Sequence, residues 1–299
     1  MNTDLVIQIE SVSRLYRTKP ALDNVSLSVQ RGTVLGLVGA NGAGKTTLIK
    51  HILGLLRAQS GTVRVFGTDP AAHPVEVLSR IGYLSEDRDM PPWMSIVELL
   101  RYNQAFRPQW DSVYAEQLRE QFQLARTARM RHLSKGELAK AGLMVALAHR
   151  PELLLLDEPS SGLDPLVRRE LLEAVVRSVA EQGRTVLFSS HLLDEIGRVS
   201  DVVAVMAHGK LLVHGPLHEV VESHHRLVVR LNRPHLSRKD LPGVLDLSGG
   251  PEEWTVICNG QRERFLAALR DLDGEVLEES PATFEEMFRA RVADHAEVS

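Results

Sequence analysis

The chain has 299 residues, of which 43% are hydrophobic and 25% charged, as is ordinary for a soluble globular protein. Its formal net charge of −4 provides no basic field that would recruit nucleic acid or anionic lipid. The single cysteine, Cys258, excludes an intrachain disulfide and argues against a cysteine-based metal site.

Two targeting features are missing from the sequence pattern. The first residues lack a basic segment followed by an apolar one, so we expect no signal peptide. No apolar run approaches the length that a membrane-spanning helix needs. The length instead accommodates one large domain and a smaller one.

The first three quarters of the chain alternate short strands with helical segments. Strands are predicted at residues 5–10, 25–29, 33–38, 62–66, 80–84, 153–156, 185–188, 202–206 and 210–213. Helices are predicted at 47–53, through much of 95–150, and at 166–181, and Ser95 and Glu98 have the spacing of a capping box. Alternating strands and helices predict an α/β domain with a largely parallel sheet over 1–222, including a helical subdomain at about 90–150.

The pattern changes near residue 222. Strands are predicted at 226–231, 254–258 and 275–279, a helix at 262–272, and a last helix that Thr283 and Glu286 cap. We interpret His224 and His225 as solvated linker residues, because no further metal ligand lies near them. Residues 223–299 are therefore predicted to form a small α+β domain.

The most specific motif lies between the strand at 33–38 and the helix at 47–53. It fits G-x-x-x-x-G-K-[ST], whose glycines let backbone N–H groups turn toward a triphosphate. Lys45 supplies a mobile positive charge for the β- and γ-phosphates, and the Thr46 hydroxyl suits magnesium. The predicted nucleotide-binding residues of the loop are Gly39, Asn41, Gly42, Ala43, Gly44, Lys45, Thr46 and Thr47.

Two acids follow the apolar strand at 153–156. Asp157 can hold the magnesium of a nucleotide, and Glu158 lies where a carboxylate could polarise an attacking water. Two acids after a strand are more often solvated loop residues, but downstream of a phosphate loop a role at the nucleotide is the favoured interpretation.

Three further segments resemble the ATP-binding subunits of ABC transporters. Residues 133–137 (LSKGE) resemble the signature segment, usually LSGGQ, and precede an apolar helix. Residues 161–164 (SGLD) match the D-loop, and 189–191 (SSH) match the segment that carries the switch histidine. The resemblance covers residues 1 to about 220, with all segments in the family's order and spacing.

The resemblance implies a role for each matching residue. Tyr16 would stack on the adenine, although a packing role for this tyrosine stays open. Ser134 and the Gly136 amide would bind the γ-phosphate held by a second subunit, and Asp164 would signal across the interface. His191 would contact the γ-phosphate and hold the attacking water. Because one chain carries one copy of each segment, the resemblance implies a two-fold dimer, most simply a homodimer.

Two positions depart from the family pattern. Glu86 stands where the family usually has glutamine, where it could ligate magnesium but would repel the γ-phosphate. The Glu86 side chain could face either the metal or the partner, and the sequence favours the partner. Lys135 replaces a signature glycine; it could attract triphosphate or simply be solvated.

The sequence thus predicts a Mg-dependent ATPase with ATP and Mg²⁺ as ligands. We expect it to power a membrane transporter, with a separate permease partner and no nucleic acid, and to lie peripherally on the cytoplasmic face of the membrane. The docking surface should lie near Glu86 and residues 87–110. The C-terminal domain resembles the extensions of drug- and antibiotic-export ATPases, and this resemblance implies export. The alternative is a soluble ABC ATPase of translation or DNA repair, which would usually carry two cassettes or a long insertion. A P-loop kinase would not account for the signature or His191.

Overall fold

A computed structural model describes residues 4–232, 237–238, 241–250 and 252–298, without the side chains of 177–182 and 295–298. These residues divide into two compact units, the first ending at Leu211 and the second beginning at Leu212. The predicted change of character near residue 222 lies within the second unit.

A six-stranded sheet is the framework of the first unit. Its strands, in order across the sheet, are β5 (Ile81–Leu84), β6 (Leu153–Asp157), β7 (Thr185–Ser190), β3 (Val34–Val38), β8 (Val202–Ala207) and β9 (Lys210–Pro216). Strands β5, β6, β7, β3 and β8 run parallel to one another. The near-continuous apolar runs of β3, β6 and β7 are fully buried, as strands covered on both faces require. The predicted α/β class is confirmed.

An antiparallel sheet packs on the same core. Its order is β2 (Lys19–Gln30), β1 (Leu5–Tyr16) and β4 (Ser60–Val65). Both β1 and β2 are longer than predicted, because register irregularities after Ile9 break the alternation of apolar and polar residues. The pairing continues to Tyr16 opposite Lys19, which places Tyr16 at the end of a hairpin.

Among the described residues of the first unit there are seven α-helices. They are α1 (Lys45–Ile52), α2 (Pro74–Leu78), α3 (Ile96–Phe106), α4 (Ser112–Gln121), α5 (Lys135–Leu147), α6 (Pro165–Gln182) and α7 (Leu193–Val199). The buried residues of α1 join a cluster with both sheets, so this helix is fixed beneath the phosphate loop. The predicted capping box of Ser95 and Glu98 is confirmed at the start of α3.

The second unit is an antiparallel sheet with a helix on each face. In order across the sheet its strands are β11 (Val244–Gly249), β12 (Glu253–Asn259), β10 (His224–Arg230) and β13 (Glu275–Pro281). The helices are α8 (Leu217–Glu222), α9 (Arg262–Asp271) and α10 (Phe284–Val298). Phe265 of α9 packs with Val256, whereas Ala290 of α10 packs with Ile257. Because neighbouring residues of a strand face opposite sides of the sheet, the two helices cover opposite faces.

Two expectations for this unit need correction. Strand β11 was not predicted, because a bulge after Val244 obscures its alternation. His224 is not a solvated linker residue: it is buried at the start of β10, with Nδ1 2.6 Å from the Val220 carbonyl oxygen and Nε2 accepting a hydrogen bond from Arg291. The predicted cap of Thr283 and Glu286 is confirmed.

No helix in the described part of the chain is both long and apolar enough to cross a membrane.

The fold makes a prediction at Gly82 in β5. A Cβ there would overlap the carbonyl oxygen of Ala146 in α5, a backbone atom that cannot rotate away. Gly82→Ala should therefore lower the free energy of unfolding by about 1–3 kcal/mol. Gly197→Ala is the matched control: this glycine lies within α7 with open space around its Cα, so alanine should be neutral or stabilise by about 0.5–1 kcal/mol. Urea denaturation followed by circular dichroism measures both; equal stabilities would contradict this packing.

Candidate functional site

The phosphate loop connects the end of β3 to the start of α1. Gly44 directly precedes the helix with a φ of 108°, a conformation that favours glycine. Because α1 begins at Lys45, the free N–H groups of its first turn lie at the loop. The local structure is therefore that of an anion-binding helix start.

A cavity of about 370 Å³ opens over this loop. Its lining residues are Tyr16, Lys19, Pro20, Ala21, Ala40, Asn41, Gly42, Ala43, Gly44, Lys45, Thr46, Thr47, Glu86 and Glu158. The wall thus brings together nearly all of the predicted loop residues with the predicted stacking tyrosine and two acids. Gly39 lies just behind it, where its carbonyl oxygen accepts a hydrogen bond from Lys45.

Lys45 forms a buried ion pair with Glu158. The Lys45 Nζ is 2.9 Å from Glu158 Oε1, and the two side chains are 6% and 5% exposed. The same Nζ donates to the Gly39 carbonyl oxygen at 2.6 Å. The lysine that should meet the phosphates is therefore held within the loop by an acid from a different strand.

Glu158 also contacts His191, the predicted switch histidine. Its Oε2 lies 2.8 Å from Nδ1 of His191. The backbone of Glu158 has a φ of 47°, which is uncommon for a non-glycine residue, and its N–H donates to the Ser189 hydroxyl at 2.9 Å. Such a conformation persists only where the surroundings fix it, so the position of this carboxylate is built into the fold.

Asp157 ends strand β6 and is 1% exposed. The parallel register places it beside Ser189 of β7, whose hydroxyl donates to its Oδ1 at 2.7 Å. Burial, together with the charges of Asp157 and Asp87, raises the pKa of Tyr83 to about 12. One oxygen of Asp157 is thus oriented by the neighbouring strand.

The groups suited to a magnesium ion are oxygens. Within the described residues, no group of three or more His, Cys, Asp or Glu side chains could hold a metal by itself. The Thr46 hydroxyl and the Asp157 carboxylate are hard donors that fit Mg²⁺ when nucleotide oxygens complete the set. Glu86 is exposed and lies on the cavity wall.

The signature segment lies away from the cavity wall. Ser134 caps α5: its N–H and hydroxyl both donate to the Glu137 carboxylate at 2.8 Å, and the Glu137 N–H donates back at 3.2 Å. A Cβ on Gly136 would meet Val167, so this glycine allows close packing against α6. Within one chain, the predicted γ-phosphate ligands Ser134 and Gly136 do not line the cavity.

Asp164 ends the loop after β6 (residues 158–164). Its Oδ1 accepts hydrogen bonds from the backbone N–H groups of Leu166 and Val167, both at 3.1 Å. The side chain therefore caps α6, which gives the aspartate a local structural role beside the one that the resemblance implies.

The sequence pattern did not single out Glu195 of α7. This buried carboxylate accepts hydrogen bonds from Ser160 at 2.7 Å and Ser190 at 2.8 Å, and Arg168 lies 3.3 Å away. It thereby joins the loop after β6 to the end of β7. The signal was its position four residues after His191, on the first turn of a helix.

Comparison with known proteins gives a consistent result. Residues 22–161 match the family described as ABC transporter. The ABC transporter ATP-binding protein YtrB of Bacillus subtilis is 30% identical over 96% of this chain and 98% of its own length. The Nod factor export ATP-binding protein I of Cupriavidus metallidurans is 31% identical over 73% of each chain. A solved ATP-binding subunit of an ABC transporter superposes with a TM-score of 0.66 and 29% identity, covering 72% of this chain and 91% of that one.

The phosphate loop, the paired acids and His191 thus occur in a chain that is similar to YtrB along almost its whole length. The chain belongs to the ABC transporter family and is one of its ATP-hydrolysing, ATP-binding subunits.

Proposed function

We propose that this chain drives an export transporter by binding Mg–ATP in the cavity over the phosphate loop, closing as a two-fold dimer, and hydrolysing the nucleotide. The observation that carries the proposal is the junction of Lys45, Glu158 and His191, which joins the phosphate loop to the ends of β6 and β7.

Nucleotide binding uses groups already in place. Tyr16 is 46% exposed at the mouth of the cavity, where its ring offers a stacking face for adenine. Backbone N–H groups of residues 41–47 and the Lys45 ammonium take the phosphates. Thr46 and Asp157 would hold Mg²⁺, which supplies charge neutralisation to the phosphate oxygens when it is bound.

Hydrolysis is assigned to Glu158 and His191. A γ-phosphate that takes Lys45 as its partner releases Glu158, whose carboxylate is then free to accept a proton from water. His191, within hydrogen-bond distance of the same carboxylate, helps to orient that water. The left-handed backbone of Glu158 and its bond to Ser189 keep the carboxylate in position.

Dimer closure completes each site. Ser134 and Gly136 are not on the wall of the cavity in their own chain, yet they lie at the start of α5 where an anion is favoured. A second copy related by a two-fold axis would present this segment to the γ-phosphate, with Asp164 at the interface.

The membrane partner is a separate permease, which holds the subunit at the cytoplasmic face of the membrane. Trp93 is 65% exposed in the proposed docking segment 87–110. Backbone hydrogen bonds from Met130 and Arg131 to the carbonyls of Met94 and Pro92 connect this segment to the approach to Ser134. The Nod factor relative, whose name states export, supports the direction of transport. A role in translation or DNA repair is less consistent with these relatives.

The first experiment tests catalysis. Glu158→Gln should bind ATP at least as tightly as the wild type, because the competing partner of Lys45 loses its charge, while turnover falls by about 100-fold or more. The ATP-bound variant should elute as a dimer in size-exclusion chromatography with light scattering. Lys45→Ala is the control: it should lose tight ATP binding and lower the melting temperature, because it leaves Glu158 buried without its cation. A monomeric, fully active Glu158→Gln protein would contradict the general-base assignment.

The second experiment tests docking. Trp93→Ala should strongly reduce the stimulation of ATPase activity by co-expressed permease in membrane vesicles, and leave the basal rate of the isolated subunit largely intact. Leu55→Ala is a matched control, since Leu55 is a 62% exposed apolar side chain outside the docking segment. If Trp93→Ala leaves both transport and stimulation unchanged, the docking surface lies elsewhere.

The third experiment concerns Glu86. A charge pair at about 4 Å is worth roughly 1–4 kcal/mol between water-like and surface-like environments. Because Glu86 lies on the cavity wall, Glu86→Gln should raise ATP affinity and weaken its dependence on magnesium. Calorimetric titrations of ATP at several magnesium concentrations measure both, with Asp87→Asn as the neighbouring charge control. Unchanged affinity, with only permease-stimulated hydrolysis reduced, would show that Glu86 faces the partner instead.

A further inference from the structure

The loop after β6 is held by a cation from a distant segment of the chain. Nη2 of Arg88 donates hydrogen bonds to the carbonyl oxygens of Pro159 and Ser161, each at 2.9 Å. Arg88 lies two residues after Glu86, at the start of the proposed docking segment. A single guanidinium thus bridges two parts of the protein that are about 70 residues apart in sequence.

Arg88 is an unusual position for a surface arginine. It is half-buried, and its Nε is buried without a hydrogen-bond partner among the described residues. Burial lowers the pKa of the guanidinium, although the nearby Glu86 carboxylate opposes this effect. Its φ of 50° lies in the left-handed region that most residues avoid. Both the left-handed backbone of Arg88 and the burial of its guanidinium are unfavourable. The hydrogen bonds to the two loop carbonyls offset these costs.

The other contacts of the loop come from the body of the domain. Glu195 accepts the Ser160 hydroxyl, and Nη2 of Arg168 donates to the Leu163 carbonyl oxygen at 3.2 Å. Glu195 lies on α7, which packs against β3 and β7, and Arg168 lies on α6, which packs against α5 and α7. Arg88 differs because it comes from the irregular segment between β5 and α3, which can shift without unfolding a helix or strand.

We propose that Arg88 is a positioning residue that transmits displacement of residues 85–90 to the loop after β6. The loop begins with Glu158 and ends with Asp164, so a shift in its carbonyls moves both the carboxylate paired with Lys45 and the cap of α6. The inference rests on the proposed function in one respect: the displacement of residues 85–90 would come from a docked permease. The mechanical link itself can be tested without a permease.

Hydrogen–deuterium exchange of the full-length, nucleotide-free protein tests the link. Arg88→Met preserves side-chain length and removes the donors, so the amides of residues 160–164 should exchange about tenfold faster. Peptides from β6 and β3 should be unchanged, which distinguishes loss of the link from general destabilisation. Arg88→Lys, which keeps one charge but not the forked donor, should give an intermediate rate. Unchanged exchange in 160–164 would overturn the proposal.

Arg64→Met is the matched control. Arg64 is an exposed arginine of β4 whose Nη1 also donates to a backbone carbonyl, that of Gly67, away from the cavity. Its replacement should leave residues 160–164 unaffected. If Arg64→Met accelerates exchange there as much as Arg88→Met does, the effect is not specific to Arg88 and the proposal fails.

Transmission is tested by a perturbation placed in residues 85–90. Asp87→Cys introduces an exposed thiol, whereas the native Cys258 is buried, so a bulky maleimide should modify the new site selectively. Labelling should change the exchange of residues 160–164 when Arg88 is present and have no effect in the Arg88→Met background, as a double-mutant cycle requires for coupled sites. An equal effect in both backgrounds would show that the displacement travels by another path.

Enzyme kinetics separate this proposal from the proposed function. Arg88 does not line the nucleotide cavity, so Arg88→Met should leave the KM for Mg–ATP within about twofold and lower kcat several-fold. If the wild type fails to hydrolyse ATP, the proposed function fails while the exchange measurements still test the link. If the wild type hydrolyses ATP and Arg88→Met changes KM instead of kcat, Arg88 acts on binding and the positioning role is wrong.

Discussion

The ion pair between Lys45 and Glu158 is the interaction on which the rest of the site depends. Both side chains are almost fully buried, and neither charge could remain there alone without a cost of several kcal/mol. The pair joins the phosphate loop to the end of β6. Under the function proposed above, a phosphate in the cavity competes with this carboxylate for the same ammonium and frees it.

The parallel sheet makes this pairing possible. Strands β3, β6 and β7 are neighbours or next neighbours and run in the same direction, so their carboxyl ends meet at one edge. The phosphate loop follows β3, Asp157 ends β6 and Glu158 follows it, and His191 follows β7. Ser189 fixes the register between the last two, because its hydroxyl donates to Asp157 and accepts from the Glu158 N–H. The order and direction of the strands thus bring the site residues together at one edge of the sheet.

The sequence was informative wherever a single segment carries its own signal. The phosphate loop, the buried strand before Asp157 and the caps at Ser95 and Thr283 are local patterns, and the structure has each of these elements. Contacts between segments left no such signal. The bond between Arg88 and the Pro159 carbonyl involves a backbone acceptor, which any residue at that position would supply.

The same limit explains the elements that prediction missed or placed differently. The bulge in strand β11 interrupts its alternation of apolar and polar residues. His224 looks like a linker residue in sequence because its hydrogen-bond partners, Val220 and Arg291, lie on two separate helices. In each case the structure depends on contacts between residues that are distant in sequence, and a local sequence pattern does not predict such contacts.

Two of the groups that the proposed function assigns to phosphate binding, Lys45 and Ser134, contact carboxylates of their own chain. Glu158 takes Lys45, and Glu137 takes both the N–H and the hydroxyl of Ser134. In the proposed cycle, binding of the γ-phosphate is therefore an exchange of one anion for another at two places, one in each subunit. The free energy available for dimer closure is then the difference between phosphate and carboxylate contacts rather than the full strength of either. Such a difference can be reversed by loss of the γ-phosphate, because both carboxylates remain beside the groups that they vacated and recover them once hydrolysis removes the competitor.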